Sequence, residues 1–269
     1  DYFNHFSEVM DKNTLLINYG KTYERRPLFY AVISSEANIA EIENIRLNNL
    51  SALDFNDNRI NDKAIVWLSY SVHGNESSST EASMQTTYEL LTKRSDLLEN
   101  TVVIIDPCLN PDGRDRYANW YNQTTTIPYN TNKISMEHKE PWPGGRANHY
   151  LFDLNRDWAW ITQVESQQRL DEYQKWMPHV HVDFHEQGIN EPYYFDPAAE
   201  PYHEVITKWQ RDFQFMIGKN NAKYFDENGW LYFTKEIFDL LYPSYGDTYP
   251  TYLGACLLYT SDAADENPS

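Results

Sequence analysis

The sequence of 269 residues has little cysteine, no long apolar run and a shortage of positive charge. Its two cysteines, Cys108 and Cys256, are too few for a disulfide scaffold or a cysteine-based structural zinc site. No apolar run approaches the roughly 18 to 20 residues that a membrane-spanning helix needs, so we predict no membrane span. The 22 basic residues stand against 40 acidic ones, giving a net charge of -18. This balance argues against binding of nucleic acid, which is a polyanion.

What the chain does contain is enough apolar material for a large core. Hydrophobic residues make up 41% and aromatic residues 15%, which excludes a disordered chain. No repeat or flexible linker divides it, so we predict a single domain. Short apolar runs that suit strands alternate with helix-like segments. The strand-like runs are 14–20, 27–35, 64–71, 101–107 and 179–185, and the helix-like segments are 36–47, 79–95, 162–176 and 202–225. This alternation predicts an α/β fold with a central mixed, largely parallel sheet flanked by helices.

Two stretches do not fit the alternation. Residues 110–150 are polar and aromatic with little periodicity, and we predict a long loop of the kind that often carries function. The segment CLLYTSDAADE (256–266) continues no earlier pattern and resembles the translation of a transposase adapter used in sequencing libraries. We therefore expect one incomplete domain over 1–255, and a non-native tail over 256–269 that packs poorly.

Polar residues with metal-binding chemistry follow two of the predicted strands. His73 and Glu76, in the motif H-G-N-E, come directly after the run 64–71. An imidazole and a carboxylate three residues apart in a turn can face one cation, and a catalytic zinc site uses three such ligands. His185 ends the strand-like run H-V-H-V-D-F-H and is our preferred third ligand. His179 and His181 lie on the same face of that strand and are its competitors.

Two further motifs combine polar residues with a turn or an aromatic setting. N-P-D-G (110–113) follows the run 101–107, and as an isolated motif it is typical of a plain turn. Asn155 and Arg156 lie in F-D-L-N-R-D-W, where Arg156 also has acidic neighbours for an ordinary surface ion pair. A guanidinium matches a carboxylate with two parallel hydrogen bonds. Beside a metal, this Asn–Arg pair suits the C-terminal carboxylate of a peptide.

In chain order, H-G-N-E, N-P-D-G, D-L-N-R-D-W and D-F-H-E resemble the motifs of the zinc carboxypeptidase family, the metallopeptidases related to carboxypeptidases A and B. The resemblance covers roughly residues 15 to 255. It implies a zinc-dependent metallocarboxypeptidase that hydrolyses C-terminal peptide bonds, with one zinc ion as cofactor and a peptide with a free C-terminus as substrate. By the same resemblance, His73, Glu76 and His185 are the zinc ligands, and Asn155 and Arg156 bind the terminal carboxylate.

The resemblance also implies two more functional side chains. An arginine after N-P-D-G helps to stabilise the oxyanion, and we favour Arg116 over Arg114 for this role. The family has a mobile tyrosine that contacts substrate, and Tyr245 is our match for it. Tyr249 and Tyr252 are its alternatives.

This sequence departs from the family pattern near its end. The family's general-base glutamate lies beyond the substrate tyrosine, where this chain has the adapter-like segment, so we assign no general base. We expect the chain as given to bind zinc and hydrolyse little. Three alternatives remain: a zinc amidohydrolase or esterase of the same fold acting on small acyl amino acids or cell-wall peptides, a non-catalytic peptide-binding module, and an acidic domain without metal. We expect an extracellular or periplasmic protein. The lack of a visible leader does not argue for the cytoplasm.

Overall fold

A computed structural model describes residues 1–52 and 62–242 in full and the backbone of 257–263. The described residues form one eight-stranded sheet. Its strands are β1 (Thr14–Lys21), β2 (Pro27–Ile33), β3 (Ala64–Tyr70), β4 (Thr101–Asp106), β5 (Val180–Glu186), β6 (Tyr193–Tyr194), β7 (Tyr232–Phe233) and β8 (Leu257–Ala263). Their order across the sheet is β1-β2-β4-β3-β5-β8-β6-β7.

The centre of the sheet is parallel and its margins are mixed. β3 lies parallel to both β4 and β5, and β5 lies parallel to β8. β1 and β2 form an antiparallel pair, β2 is antiparallel to β4, and β6 is antiparallel to β8. Parallel strands are buried on both faces, which explains why β3 and β4 appear in the sequence as continuous apolar runs. The predicted mixed, largely parallel sheet is confirmed.

Seven α-helices accompany the sheet in the described part of the chain. They are α1 (Tyr2–Val9), α2 (Glu36–Ala40), α3 (Ile42–Ser51), α4 (Ser78–Thr92), α5 (Pro111–Thr124), α6 (Val164–Trp176) and α7 (Lys208–Asn228). None of them combines the length and the apolar character that crossing a membrane would require.

Two apolar clusters cover the two faces of the sheet. On one face, the buried Trp67 of β3 packs with Tyr173 and Trp176 of α6. On the other face, Tyr70 of β3 packs in a cluster with Leu91 of α4. Side chains alternate along a strand, so one short strand supplies both clusters. The helices therefore flank both faces of the sheet.

The predicted loop over 110–150 is wrong in its first part, because α5 begins at Pro111. The side chain of Asn110 accepts a hydrogen bond from the backbone N–H of Gly113 at 2.9 Å, and Pro111 occupies the first turn. Asparagine as N-cap and proline in the first turn are strong helix-start signals. N-P-D-G is thus a capped helix start. The helix is strongly polar, so its sequence shows little apolar periodicity.

The start of α5 is tied to the β1–β2 hairpin through the buried carboxylate of Asp112. It accepts hydrogen bonds from the hydroxyl of Thr22 at 2.7 Å and from the backbone N–H of Glu24 at 3.2 Å. The guanidinium of Arg26 lies 2.8 Å from the same carboxylate. Residues 22–26 therefore anchor the start of α5.

Two other boundaries differ from the prediction. α7 begins at Lys208 and not at 202, because Thr207 and Gln210 form a capping box that fixes its first turn. The tail, which we expected to pack poorly, places the backbone of Leu257–Ala263 beside β5 in parallel register. How well the side chains of these seven residues pack stays a prediction. Parallel pairing uses backbone N–H and C=O groups, so it does not require alternating side chains. The non-native origin of 256–269 stays a prediction.

Candidate metal centre

The carboxyl ends of β3 and β5 deliver the predicted ligands to one place. The two strands are paired side by side, with Tyr70 opposite Phe184. His185 lies one residue beyond that pair, and His73 follows the end of β3 after a short turn. The backbone N–H of Glu76 closes this turn on the carbonyl of His73 at 3.2 Å. Because parallel strands end at the same edge, residues 112 positions apart in the chain meet there.

The three side chains converge on one point. The Nδ1 atoms of His73 and His185 lie 3.2 Å apart, and the two carboxylate oxygens of Glu76 lie 2.6 Å and 3.0 Å from them. A tetrahedral zinc ion with bonds near 2 Å separates its ligand atoms by roughly 3.3 Å, so the donors stand close to zinc-binding spacing. Two nitrogens and one carboxylate oxygen are also a donor set that zinc accepts. In the described part of the chain, no second group of three such side chains gathers.

Each histidine presents its other ring nitrogen to a carboxylate. The Nε2 of His73 lies 3.1 Å from Asp153, and the Nε2 of His185 lies 3.0 Å from Asp183. Such carboxylate partners fix the ring orientation of metal-binding histidines. Both imidazoles are nearly buried, with 2% and 7% of their surface exposed. The arrangement leaves the two Nδ1 atoms to face the carboxylate of Glu76.

The charges of this cluster shift the pKa values of its members in opposite directions. Burial alone would lower the pKa of His185. The carboxylates of Asp183 and Glu76 outweigh burial and raise this pKa well above its ordinary value. Burial raises the pKa of Glu76, but the charges and hydrogen bonds of His185 and His73 outweigh it and lower that pKa. The pKa of Asp153 is lowered against burial by His73 first and by Arg146 next. In the metal-free protein the cluster is therefore a set of ion pairs.

These shifts predict how His185 contributes to the stability of the metal-free protein. A histidine whose folded pKa is raised stabilises the fold fully below its unfolded pKa of about 6.5, and loses that contribution as pH rises through the folded pKa. The free energy of unfolding of wild type minus that of His185→Gln should thus be largest below about pH 6.5 and shrink in alkaline solution. Urea unfolding with a chelator present measures it. A difference that grows with pH would contradict the assigned ion pairs.

The predicted carboxylate-binding pair lies beside the ligands. Asn155 is buried, and its side-chain nitrogen lies 3.5 Å from the Nε2 of His185. Its side-chain oxygen is buried without a hydrogen-bond partner among the described residues. Arg156 follows it with an exposed side chain and contributes to the low pKa of Asp153. The structure therefore brings this pair to the same edge of the sheet as the three ligands.

The arginine predicted for the oxyanion does not extend to this cluster through its hydrogen bonds. Arg116 donates to the carbonyls of Gly144 at 2.7 Å, Ala147 at 3.3 Å and Asn148 at 3.1 Å, so it holds the segment that follows α5. Its alternative, Arg114, binds the carbonyl of Ser77 at 2.8 Å. Neither guanidinium contacts His73, Glu76 or His185 by a hydrogen bond. The structure thus does not bring Arg116 to the three predicted ligands by a hydrogen bond, and its role at an oxyanion stays a prediction.

Arg146, which is not among the predicted site residues, lies beside the cluster of His73, Glu76 and His185. Its guanidinium lies 3.7 Å from Glu76 and 3.0 Å from Asp153, and its side chain is 47% exposed. It belongs to the segment W-P-G-G-R-A, whose two glycines are the signal of a backbone that approaches something closely. That signal alone does not say what the segment approaches.

The other candidate residues are placed elsewhere. The Nδ1 of His179 accepts a hydrogen bond from the backbone N–H of Ile65 at 3.0 Å, and the Nε2 of His181 lies 2.7 Å from the hydroxyl of Ser69. Both histidines are thus occupied within the sheet. Tyr245 and its alternatives, Tyr249 and Tyr252, lie outside the described residues.

A cleft opens next to the ligands on the side of α5. It has a volume of about 450 Å³ and is bordered by Ser77, which directly follows Glu76. Tyr117, Trp120 and Tyr121 of α5 line one wall. Trp120 and Tyr121 follow Tyr117 by three and four residues, so both are its neighbours on the helix surface. The cleft therefore combines aromatic surface with a residue adjacent in the chain to a predicted ligand.

Comparison with known proteins agrees with this geometry. A family model described as "Zinc carboxypeptidase" matches residues 1–224, and the chain belongs to this family of zinc-dependent enzymes. No curated protein sequence matches the chain.

Solved structures of carboxypeptidases share the fold. Carboxypeptidase A from Helicoverpa armigera is 18% identical with a TM-score of 0.60, over 96% of this chain and 61% of the insect chain. Bovine thrombin-activatable fibrinolysis inhibitor, solved with tick carboxypeptidase inhibitor, is 15% identical with a TM-score of 0.65, over 99% and 84% of the two chains. A metallo-carboxypeptidase from Burkholderia cenocepacia is 14% identical with a TM-score of 0.60, over 97% and 57%. The chain therefore spans about three fifths of the insect and bacterial proteins.

Proposed function

We propose that the full-length protein is a zinc metallocarboxypeptidase that removes C-terminal residues from peptides. The observation that carries this proposal is the convergence of His73, Glu76 and His185 at the strand ends of a chain in the zinc carboxypeptidase family. These three side chains would hold one zinc ion. When bound, zinc polarises the scissile carbonyl and lowers the pKa of a bound water to about 7.

The other residues of the edge would bind and orient the substrate. Asn155 and Arg156 would receive the C-terminal carboxylate, since an amide and an exposed guanidinium beside the ligands can give it charge-assisted hydrogen bonds. Arg146 would face the oxygen on which negative charge develops, because its guanidinium lies 3.7 Å from Glu76. We assign no general base.

The cleft beside Ser77 supports a peptide substrate over a small acyl amino acid. A peptide anchored by its carboxylate at Arg156 needs space for the residues that precede the scissile bond. The aromatic wall of α5 borders such a space, and aromatic side chains bury large apolar areas on contact. A substrate that ends at the scissile amide would not contact this extra surface.

An extracellular or periplasmic location is part of the same proposal.

Metal analysis and a peptide assay test the proposed function. The purified chain, equilibrated with zinc and freed of excess metal, should contain one zinc ion per molecule. The full-length protein should release single residues from the C-terminus of peptides and leave C-terminally amidated peptides intact. A zinc-free preparation, or cleavage of small acyl amino acids in preference to peptides, would refute the proposal.

The role of Arg156 is tested by binding alone. Arg156→Ala should weaken the binding of a peptide with a free C-terminus to the zinc-loaded protein about 10- to 100-fold, the loss expected for hydrogen bonds to a charged group worth about 1.5–3 kcal/mol. The amidated peptide should bind both proteins equally. Titration calorimetry measures both affinities, and Arg94→Ala, at an exposed arginine after α4, is the control. An equal loss on both peptides would make Arg156 a structural residue.

A further inference from the structure

A chain of buried polar groups lies behind His185, on the side away from its metal-facing atom. Asp183 precedes His185 by two residues on β5, and its Oδ2 lies 3.0 Å from the Nε2 of His185. Its Oδ1 accepts a hydrogen bond from the hydroxyl of Ser69 at 3.0 Å, across the β3–β5 pair. The Ser69 hydroxyl in turn lies 2.7 Å from the Nε2 of His181. Ser69, His181 and Asp183 are each only 1% exposed.

The surroundings of His181 fix the direction of these hydrogen bonds. Burial lowers the pKa of His181 to about 4, so this ring is neutral and carries one proton. Its Nδ1 is buried without a hydrogen-bond partner among the described residues, whereas its Nε2 faces Ser69. A buried donor without a partner is costly, so the proton resides on Nε2. His181 then donates to Ser69, and the Ser69 hydroxyl donates to Asp183.

This order of hydrogen bonds determines which donor the second carboxylate oxygen of Asp183 can accept. Oδ1 of Asp183 accepts a hydrogen bond from Ser69. Oδ2 can therefore accept a hydrogen bond from the Nε2 of His185 when that nitrogen carries the ring proton. An imidazole that carries its proton on Nε2 has its lone pair on Nδ1, the atom that faces Glu76 and His73. A carboxylate also makes the ring a better ligand, because it stabilises charge drawn toward the metal.

We propose that Asp183 is a positioning residue that holds His185 with Nδ1 directed at the zinc site, and that Ser69 and His181 hold Asp183 in place. The inference rests on the proposed zinc site. It differs from the support of His73, because Asp153 is partly exposed and is braced by Arg146 at the surface. Asp183 has no such access to solvent and depends on donors inside the sheet.

The test is the zinc affinity of Asp183→Asn, measured by competition with a chelator at mildly alkaline pH, where protons compete little with the metal. The amide has the size of the carboxylate but offers an N–H to His185 or to Ser69. If the N–H faces His185, the Nε2 of that ring must accept and the ring proton moves to Nδ1. If the N–H faces Ser69, the Ser69 hydroxyl must donate to His181, which reverses that hydrogen bond. We expect the zinc affinity to fall about 10- to 100-fold, as for other outer partners of metal-binding histidines.

Two further variants separate positioning from general destabilisation. Ser69→Ala keeps the carboxylate and removes the donor that orients it, so it should weaken zinc binding less than Asp183→Asn does. Asp171→Asn, at an exposed position of α6, removes the same charge and should bind zinc as the wild type does. Unfolding midpoints of the metal-free proteins report the stability of each fold.

A spectroscopic measurement addresses the ring itself. In the zinc-loaded wild type, nitrogen NMR should detect a hydrogen-bonded proton on the Nε2 of His185, and this signal should change in Asp183→Asn. Unchanged affinity together with an unchanged signal would overturn the inference and leave the zinc site intact. A wild-type protein that binds no zinc would instead refute the proposed function.

Discussion

Glu76→Ala should reduce the zinc affinity of the protein by more than about 100-fold, since losing even an outer partner of a ligand costs about 10- to 100-fold. The carboxylate of Glu76 lies between the Nδ1 atoms of both histidines, at 2.6 Å and 3.0 Å. It also accepts the backbone N–H of Glu186 at 3.2 Å, which fixes it to the end of β5. Without it, His73 and His185 face each other at 3.2 Å with no anion between them. Chelator competition measures the affinity.

Two controls accompany this variant. Glu76→Gln preserves the volume of the side chain, removes its charge and replaces one accepting oxygen by an N–H donor, so it separates loss of the carboxylate from collapse of the turn. Glu81→Ala removes an exposed carboxylate from the first turn of α4 and should leave zinc binding unchanged. If Glu76→Ala binds one zinc ion as tightly as the wild type, the ligand assignment is wrong.

The convergence of His73, Glu76 and His185 could be predicted from the sequence because the topology of a parallel sheet determines where its strands end. Each lies in or directly after a short apolar run, and such runs form central parallel strands whose carboxyl ends meet at one edge. The preference for His185 over His181 also rests on position at the carboxyl end of a strand. Both lie on one face of β5, but His185 stands at the end of the strand and His181 in its buried middle. Position along the strand therefore distinguished a candidate ligand from a core residue.

Arg146 and α5 were missed for a different reason. Both belong to the stretch 110–150, where apolar periodicity is weak because little of it packs into the core. Arg146 is placed by tertiary contacts: Arg116 donates to the carbonyls around it, and Glu140 accepts a hydrogen bond from the side chain of Asn75 at 2.8 Å. Contacts of this kind join segments distant in the chain and leave no local pattern. Spacing alone thus pointed to the arginines that closely follow N-P-D-G, Arg114 and Arg116, and not to Arg146.

Gly74→Ala should be severely destabilising and should also disrupt the metal centre. A Cβ atom at Gly74 would lie 2.1 Å from the backbone nitrogen of Arg114 and 2.3 Å from the carbonyl carbon of Gly113. A Cβ at Gly113 would meet the carbonyl oxygen of Gly145 at 2.2 Å. The glycines of H-G-N-E, N-P-D-G and W-P-G-G-R-A therefore lie backbone against backbone. This contact fixes the turn that carries two ligands against the start of α5.

Backbone atoms cannot move aside as the end of a flexible side chain can, so Gly74→Ala must displace the turn that carries His73 and Glu76. Overpacking typically costs about 1–3 kcal/mol and occasionally more, and we expect at least the upper end of that range. Urea unfolding measures the loss, and chelator competition should detect a parallel fall in zinc affinity. Gly188→Ala is the matched control, because its Cβ would meet the exposed side chain of Glu191 at 3.2 Å, which is free to shift. Equal stability of the two variants would show that the close approach of these three segments does not set the geometry of the site.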